Sequence, residues 1–295
     1  MHLETKDYTY YRGEYKNTNT AIIFASYQPN KIASDLLRVA LNSLSKIDLE
    51  NCSVWIIDVA SPNSENLVKH SEFKKFNFLY VKFLPQDLNK NIFQKILNFL
   101  SLRSKREGSF INSWSIHFAL NYFKNISYDP KYFLTLQTDI IFTSYNILGN
   151  LKLKLEQNKN LIAAGFREQP NLGKKYKILH SLGCMWNYDL FKKLNLNLYP
   201  KFPNFDLAEY AIAKSLDKGY ETYSLKNART DKSLINNIKE EKYQHLGDGV
   251  DICLNENSDV VFLHLGRGIS KSLDNKDNNK KFTAKEWISW YYKNF

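Results

Sequence analysis

The sequence predicts an α/β fold of Rossmann-like type, a mostly parallel central sheet flanked by helices, and three observations predict it. Short continuous apolar runs such as Ala21-Ile22-Ile23-Phe24-Ala25, Val54-Trp55-Ile56-Ile57 and Tyr132-Phe133-Leu134-Thr135-Leu136 each break off at a polar, turn-like cluster. That is the pattern of strands buried on both faces. Segments with apolar residues at helical spacing alternate with these runs, and strand, helix, strand in that order implies a right-handed crossover between parallel neighbours. The 295 residues, 43% apolar and 24% charged, suffice for the core of one large domain. Ligands of such sheets bind at the carboxyl ends of the strands, so Ser26, Tyr27 and Asp58 are expected to share one rim.

Taken in order, Met1 to Thr20 is polar and tyrosine-rich without a clear period and is expected to be an irregular arm. The first strand stops at Ser26-Tyr27-Gln28-Pro29-Asn30. From Ile32 to Leu44, Leu36, Leu37, Val39, Ala40 and Leu44 recur at helical spacing. The second strand ends at Asp58-Val59-Ala60-Ser61-Pro62-Asn63, and a third covers Phe78 to Val81. Helical spacing returns over Asn91–Leu102 and, beyond Arg103, Lys105, Arg106 and Gly108, over Ile111–Phe123. The strand Tyr132–Leu136 runs into Gln137-Thr138-Asp139, and Leu161–Gly165 is another strand. Arg167 to Lys177, with Pro and Gly, reads as a flexible loop. A helix over Asp206–Leu216 stops at Gly219. Val260–Leu263 is a late strand that breaks into His264-Leu265-Gly266-Arg267-Gly268. Residues Leu273 to Lys281 read as mobile, and Thr283-Ala284-Lys285-Glu286 is a capping box that opens a last helix. No internal repeat or linker interrupts the chain. The expected organisation is an arm (1–20), one domain (21–270, divided near 140 into a nucleotide-binding and an acceptor half) and a C-terminal loop with an amphipathic helix (271–295).

Composition excludes several classes. The net charge is +11, but the lysines are scattered, with no zinc-finger spacing and no arginine-rich segment, so no nucleic-acid partner is expected. No apolar run approaches the roughly 18–20 residues that cross a bilayer, and the polar N-terminus does not read as a signal peptide. Cys52, Cys184 and Cys253 lie far apart and are odd in number, against a disulfide framework and for a reducing, cytoplasmic setting.

The segments in this order resemble a family 2 glycosyltransferase, or a near relative on the same GT-A fold. Ala25-Ser26-Tyr27-Gln28 is similar to the opening strand and loop of that family, and Ile56-Ile57-Asp58-Val59-Ala60-Ser61 to its second strand. Arg106, Gly108, Asn112 and Ala119 resemble the helix after the base-binding loop. Leu134 to Asp139 sits where the family carries its Asp-x-Asp metal motif. Gly183-Cys184-Met185, and Phe205-Asp206-Leu207-Ala208-Glu209 through Gly219-Tyr220, resemble the acceptor half. Each motif is degenerate; their order over Ala21 to Leu225 is more specific. The resemblance implies transfer of a sugar from a nucleoside diphosphate donor, usually of uridine, to a hydroxyl of a glycan or glycolipid, with Mg²⁺ or Mn²⁺ as cofactor.

The chemistry needs a base pocket, neutralised phosphates and an activated hydroxyl. Tyr27 offers a flat face for the base, or is a packing aromatic; Asp58 offers an acceptor for a base N–H, or is a turn residue. With Ser26, Arg106, Asn112 and Arg267 they form the expected nucleotide-binding set. Asp139 is placed to hold the divalent ion between the phosphates, or to cap a helix. Gln137 stands where the family has its first Asp, so either the metal is weakly held or another side chain completes the site. His264, at a strand end, is the expected second ligand, since imidazole suits Mn²⁺; a structural histidine is the alternative. The resemblance makes Asp206, at the expected helix start, the general base for an inverting transfer, with helix capping as the alternative, and Glu209 its reserve, sharing a helical face three residues on. His117, Trp114, His180 and His245 read as packing residues, and Asp248 and Asp251 as a solvated turn, with contact to a metal as the alternative. The last helix can dock on the sheet, make a homodimer contact or lie peripherally on the inner membrane face; bacterial surface glycan synthesis is the setting expected by analogy.

Two rivals remain at this stage. A nucleotidyltransferase would show a Gly-rich basic loop after the first strand, and this chain has none. A non-catalytic carbohydrate-binding or scaffold protein on the same fold would explain Gln137. Convergence of Asp139 and His264 discriminates: side chains more than about 10 Å apart cannot ligate one ion.

Overall fold

The computed structural model describes residues 2–4, 7–13, 18–62, 65–82, 103–181, 183–244, 246, 250–266 and 282–295. In chain order its strands are β1 (His2–Glu4), β2 (Tyr8–Tyr11), β3 (Thr20–Ser26), β4 (Cys52–Val59), β5 (Asn77–Val81), β6 (Tyr132–Leu136), β7 (Ile140–Phe142) and β8 (Leu161–Gly165). They continue with β9 (Glu168–Pro170), β10 (Lys177–Leu179), β11 (Cys184–Asn187), β12 (Glu221–Ser224), β13 (Lys226–Asn227), β14 (Asp251–Leu254) and β15 (Val260–His264). The main helices are α1 (Lys31–Ser45), α2 (Arg103–Asn125), α3 (Ile147–Gln157), α4 (Tyr188–Lys193), α5 (Glu209–Leu216) and α6 (Ala284–Asn294).

The central sheet has nine strands in the order β1-β2-β5-β4-β3-β6-β11-β8-β12. Its middle, β5-β4-β3-β6, is parallel. Strand β11 enters antiparallel between β6 and β8. Alternate residues of the buried strands feed two separate cores, as a period of two requires. Ile22, Phe24, Val54 and Ile56 join Leu37, Ala40, Leu41 and Leu44 of α1 on one face. Ala21, Ile23, Trp55 and Ile57 join Ile116, Ala119, Leu120 and Phe123 of α2 on the other. Asn30 starts α1 by accepting the Ala33 N–H at 2.9 Å.

A second sheet, β13-β14-β15-β7, is antiparallel throughout. It shares a third core with Leu36 and Val39 of α1 and with Trp287 and Tyr291 of α6. The last helix therefore docks on α1 and this sheet, and its expected capping box is present at Thr283 and Glu286.

The expected α/β class is observed, with several corrections to its parts. The N-terminal arm is not irregular: β2 pairs antiparallel with β5, the outermost of the parallel strands, and Tyr10 packs beside Trp55 with its hydroxyl donating to Asn77 Oδ1 at 2.8 Å. The expected loop Arg167–Lys177 is a hairpin, β9 pairing with β10. It is held at its tip, where Gly173 N donates to Asn204 O at 2.8 Å. Helix α5 begins at Glu209, not Asp206, because Ala208 has φ +61°, outside the helical region; Asp206 and Glu209 do not share a helix. Helix α2 runs from Arg103 straight through the expected basic connector. The expected helix Asn91–Leu102 and mobile stretch Leu273–Lys281 lie outside the described residues.

Gly183 opens β11 at φ +112°, and a Cβ there would lie 2.7 Å from the Phe166 ring. Its N–H donates to Thr135 O, joining the loop to β6. Gly183→Ala is expected to lower unfolding stability by about 2 kcal/mol, combining the left-handed backbone with the clash. Urea denaturation checks this; a loss below about 0.5 kcal/mol, the size of an ordinary surface change, would refute it.

Candidate active site

Three adjacent parallel strands, β4, β3 and β6, end side by side, and their registers set the site. Ser26 lies opposite Asp58, and Phe24 opposite Leu136, the residue before Gln137. Ser26 Oγ donates to Asp58 Oδ2 at 2.9 Å, and Gln28 Nε2 donates to the same oxygen at 2.6 Å. The Gln28 backbone N–H donates to Ser61 Oγ at 2.6 Å, tying the loop after β3 to the loop after β4. All three side chains, Ser26, Gln28 and Asp58, are buried. Burial raises the Asp58 pKa, against the lowering effect of hydrogen bonds from Ser61, Gln28 and Ser26. Two acceptors, Gln28 Oε1 and Asp58 Oδ1, are buried without a well-formed hydrogen bond, although such groups are normally satisfied. They suit the N–H donors of a base edge. Tyr27 is half-buried at the same rim. Sequence reasoning passed over Gln28; its signal was a polar residue directly after a buried strand end.

Beyond β6 the chain leaves the central sheet through Gln137-Thr138-Asp139 and enters the second sheet as β7. Strand β15 pairs with β7 so that His264 faces Ile140, and with β14 so that His264 faces Asp251. Leu265 N donates to Asp139 O at 2.9 Å, locking the junction. The His264 ring is thereby held between three side chains. Its Nδ1 lies 2.8 Å from Asp251 Oδ2, and its Nε2 lies 3.1 Å from Gln137 Oε1 and 3.5 Å from Asp139 Oδ1. Burial works to lower the His264 pKa, but the carboxylates of Asp139 and Asp251 outweigh it and raise the value to about 9. Asp139 and His264 thus converge, as one shared ion requires.

Asp251 is not a solvated turn residue. It is buried on β14, and its Oδ1 pairs at 3.2 Å with both Arg167 and Arg229. Burial would raise its pKa, yet His264 and the two guanidinium groups hold it well below the usual carboxylate range. A carboxylate on Nδ1 fixes the imidazole so that Nε2 points at Gln137 and Asp139, the way metal-bound histidines are oriented. The Arg167 side chain is 11% exposed, whereas that of Arg229, although paired with Asp251, is 53% exposed and presents the rest of its guanidinium to solvent. The His180 ring centroid lies 5.3 Å from that of His264, so His180 belongs beside this cluster. Asp251→Asn leaves the largely buried Arg167 cation without its counter-charge and is expected to cost about 3 kcal/mol of stability. Urea unfolding at neutral pH measures it, and a loss under about 1 kcal/mol would show the pairs to be worth no more than surface ones.

Of the two expected bases, Glu209 is buried, and its Oε2 accepts the N–H groups of Asp206 and Leu172, each at 2.8 Å. It fastens the β9–β10 hairpin to the start of α5. Asp206 is half-buried; its Oδ1 accepts the Leu207 N–H at 2.7 Å. Asn112 is half-buried on α2. The Arg106 side chain, Arg267, His245 and Asp248 lie outside the described residues. His117 accepts the Leu198 N–H at 2.9 Å and stacks on Tyr199. Burial, with a smaller contribution from Lys124, lowers its pKa to about 4, so it is a neutral packing residue.

No family model matches the sequence, and no curated protein matches it. Solved structures do resemble the fold. A mannosyltransferase from Pyrobaculum calidifontis in complex with GDP-Man and Mn²⁺ is 14% identical, with a TM-score of 0.47 over 72% of this chain and 56% of that one. The glycosyltransferase GlyE of Streptococcus pneumoniae is 13% identical, with a TM-score of 0.44 over 93% of this chain and 60% of that one. TarS of S. aureus in complex with UDP-GlcNAc is 13% identical, with a TM-score of 0.37 over 61% of this chain and 48% of that one. Two of these are glycosyltransferases by description. The chain spans roughly half to three-fifths of the length of these proteins.

Proposed function

We propose that this protein transfers a sugar from a nucleoside diphosphate, with uridine as the base, to a hydroxyl of a glycan or lipid-linked acceptor. One observation carries the reading: the buried Ser26–Gln28–Asp58 rim and the Gln137–Asp139–His264 cluster stand at the carboxyl ends of neighbouring parallel strands. Adjacent strands are about 4.8 Å apart, so a base on the β4 side and phosphates on the β6 side fit one extended nucleotide. In this reading the base edge donates to Asp58 and Gln28 Oε1, and Tyr27 covers its face.

The donor set fits a divalent ion. Among the described residues no group of three His, Cys, Asp or Glu side chains gathers for a metal. Asp139 and His264 supply two ligands, however, and Gln137 Oε1 stands within 3.1 Å of His264 Nε2 as a neutral third. Ions that bridge phosphates commonly take only one or two carboxylates from the protein. When bound, Mn²⁺ or Mg²⁺ would offset the negative charge that develops on the leaving diphosphate. Asp251 keeps His264 Nε2 directed at the site, and Arg229 supplies a guanidinium for phosphate oxygens. The carboxylate of Asp206 takes the proton of the acceptor hydroxyl as its oxygen bonds to the anomeric carbon. The bond from that carbon to the diphosphate oxygen breaks in the same step, inverting the centre.

Among the described residues no helix is long and apolar enough to cross a membrane. Synthesis of a bacterial surface polysaccharide is the setting we assign, with the acceptor met at the inner membrane face. The scaffold reading keeps Gln137 as its support and predicts no turnover. Calorimetric titration of UDP with and without Mn²⁺ tests the proposal. Binding that strengthens at least tenfold with Mn²⁺ is expected; no binding of UDP in either condition would overturn the uridine donor.

A further inference from the structure

We propose that a cavity on the outer side of α5 is a subsite for an anionic saccharide unit of the acceptor, a sugar bearing a carboxylate or phosphate. The inference rests on reading the chain as a glycosyltransferase and adds the class of acceptor. The cavity, of about 540 Å³, lies between the β9–β10 hairpin, the loop around Asn204 and α5, within the range of small-ligand sites. Phe205 and Tyr210, which line it, flank Asp206 and Glu209 in sequence, so a sugar held there lies beside the segment that carries the proposed base.

The walls are rigid. Asn171 Nδ2 and Gly173 N both donate to Asn204 O, at 3.0 and 2.8 Å, and Asn171 Oδ1 accepts the Tyr176 N–H at 2.8 Å. Glu209 holds the Leu172 N–H from beneath. Three half-buried rings form one side: Tyr176 and Phe205 are 6.2 Å apart and tilted by 38°, and Tyr210 meets Phe205 edge-on at 5.5 Å. Rings at such angles make no parallel slot for a flat base, but they offer apolar surface to the C–H faces of a sugar, which is not planar.

The charge is one-sided. Among the described residues Lys175, Lys214 and Lys218 line the cavity against a single acid, Asp217. Asp217 is engaged by the Tyr176 hydroxyl, 3.0 Å from each of its oxygens. Lys214 Nζ donates to the carbonyls of Leu194 and Asn195, at 2.9 and 3.2 Å. Lys201 lies over the Tyr210 ring at 3.4 Å. Lys218 and Lys175, the latter with its Nζ 5.1 Å from the centre of the Tyr176 ring, are both exposed and without an acidic partner among the described residues. A concave site with aromatic walls and two lysines without acidic partners in its lining concentrates anions. Lysines act as point charges that accept carboxylate or phosphate alike, without the bidentate geometry of arginine.

The test titrates the full chain, without nucleotide and at low ionic strength, with trigalacturonate, with its fully methyl-esterified form and with a phosphorylated maltotriose. Saturable binding of trigalacturonate or of the phosphorylated sugar is expected, and which of them binds names the anionic group. Esterification, and the double variant Lys175→Ala with Lys218→Ala, should each weaken the binding at least tenfold, while Lys69→Ala with Lys74→Ala leaves it unchanged. The inference is overturned if neither anionic sugar binds, if the ester binds as well as the acid, or if the distant pair of substitutions weakens binding as much as the cavity pair. UDP binding, measured on the same samples, separates the two readings. Intact UDP binding with no glycan binding removes only the subsite, and lost UDP binding with glycan binding retained removes only the donor assignment.

Discussion

Asp139→Ala is expected to lower sugar transfer by about a thousandfold, equivalent to about 4 kcal/mol of transition-state stabilisation. The same change should abolish the Mn²⁺-dependent part of UDP binding. Among the described residues Asp139 is the single carboxylate within reach of His264 Nε2, at 3.5 Å, because Gln137 occupies the other position and Asp251 lies on the far side of the ring. Removing it leaves an imidazole and an amide, too weak a set for an ion that must also hold phosphates. Burial of both side chains amplifies the effect, since water cannot readily replace the lost oxygen. Calorimetry with and without Mn²⁺ gives the binding arm, and release of UDP from a donor gives the kinetic arm. Retention of metal-dependent UDP binding in Asp139→Ala would move the ion elsewhere. Retention of full transfer would show that no carboxylate is needed at this position.

The second large effect separates two acids that the sequence could not tell apart. Asp206→Asn is expected to lower transfer by about a hundredfold or more, the usual contribution of a positioned general base, with UDP binding unchanged. Glu209→Gln should act on the fold instead. Its carboxylate is buried and receives two backbone N–H bonds, from Asp206 and Leu172, so weakening them should cost about 1–2 kcal/mol. Its folded fraction should transfer within threefold of wild type. A reversal, with Glu209→Gln inactive yet fully stable and Asp206→Asn active, would reassign the base.

The central sheet was legible because its information is local. The runs at Ala21, Val54, Phe78, Tyr132 and Leu161 are apolar on both faces, and each became a strand within a residue or two of the expected limits. Topology then placed Ser26, Tyr27 and Asp58 at one rim without any contact being known, since parallel strands end together. The capping box at Thr283 and the carboxylate at Asp139 were readable for the same reason: a few adjacent residues carry the whole pattern.

What the sequence did not disclose depends on pairing between distant segments. The tyrosines at Tyr8, Tyr10 and Tyr11 form a strand because β5 offers an open edge some 67 residues on, as the Tyr10–Asn77 bond records. A β-prone run without a visible partner reads as irregular, since strand propensity is chiefly a response to neighbours. The hairpin of Glu168 to Leu179 has too few residues per strand for a period to show, and Glu209 reaches up from α5 to hold its tip. Asp251 looked like a turn acid until the antiparallel register set it opposite His264 and between Arg167 and Arg229. By itself the sequence determined the parallel core, the rim where its strands end and the presence of Asp139 and His264 near strand ends. Tertiary structure alone decided that His264 is oriented by Asp251, that Glu209 is a fastening and Asp206 the freer acid, and that lysines from separate segments meet around one cavity. The physical reason is that burial patterns are written in neighbouring residues, whereas charge pairing across strands is set by register.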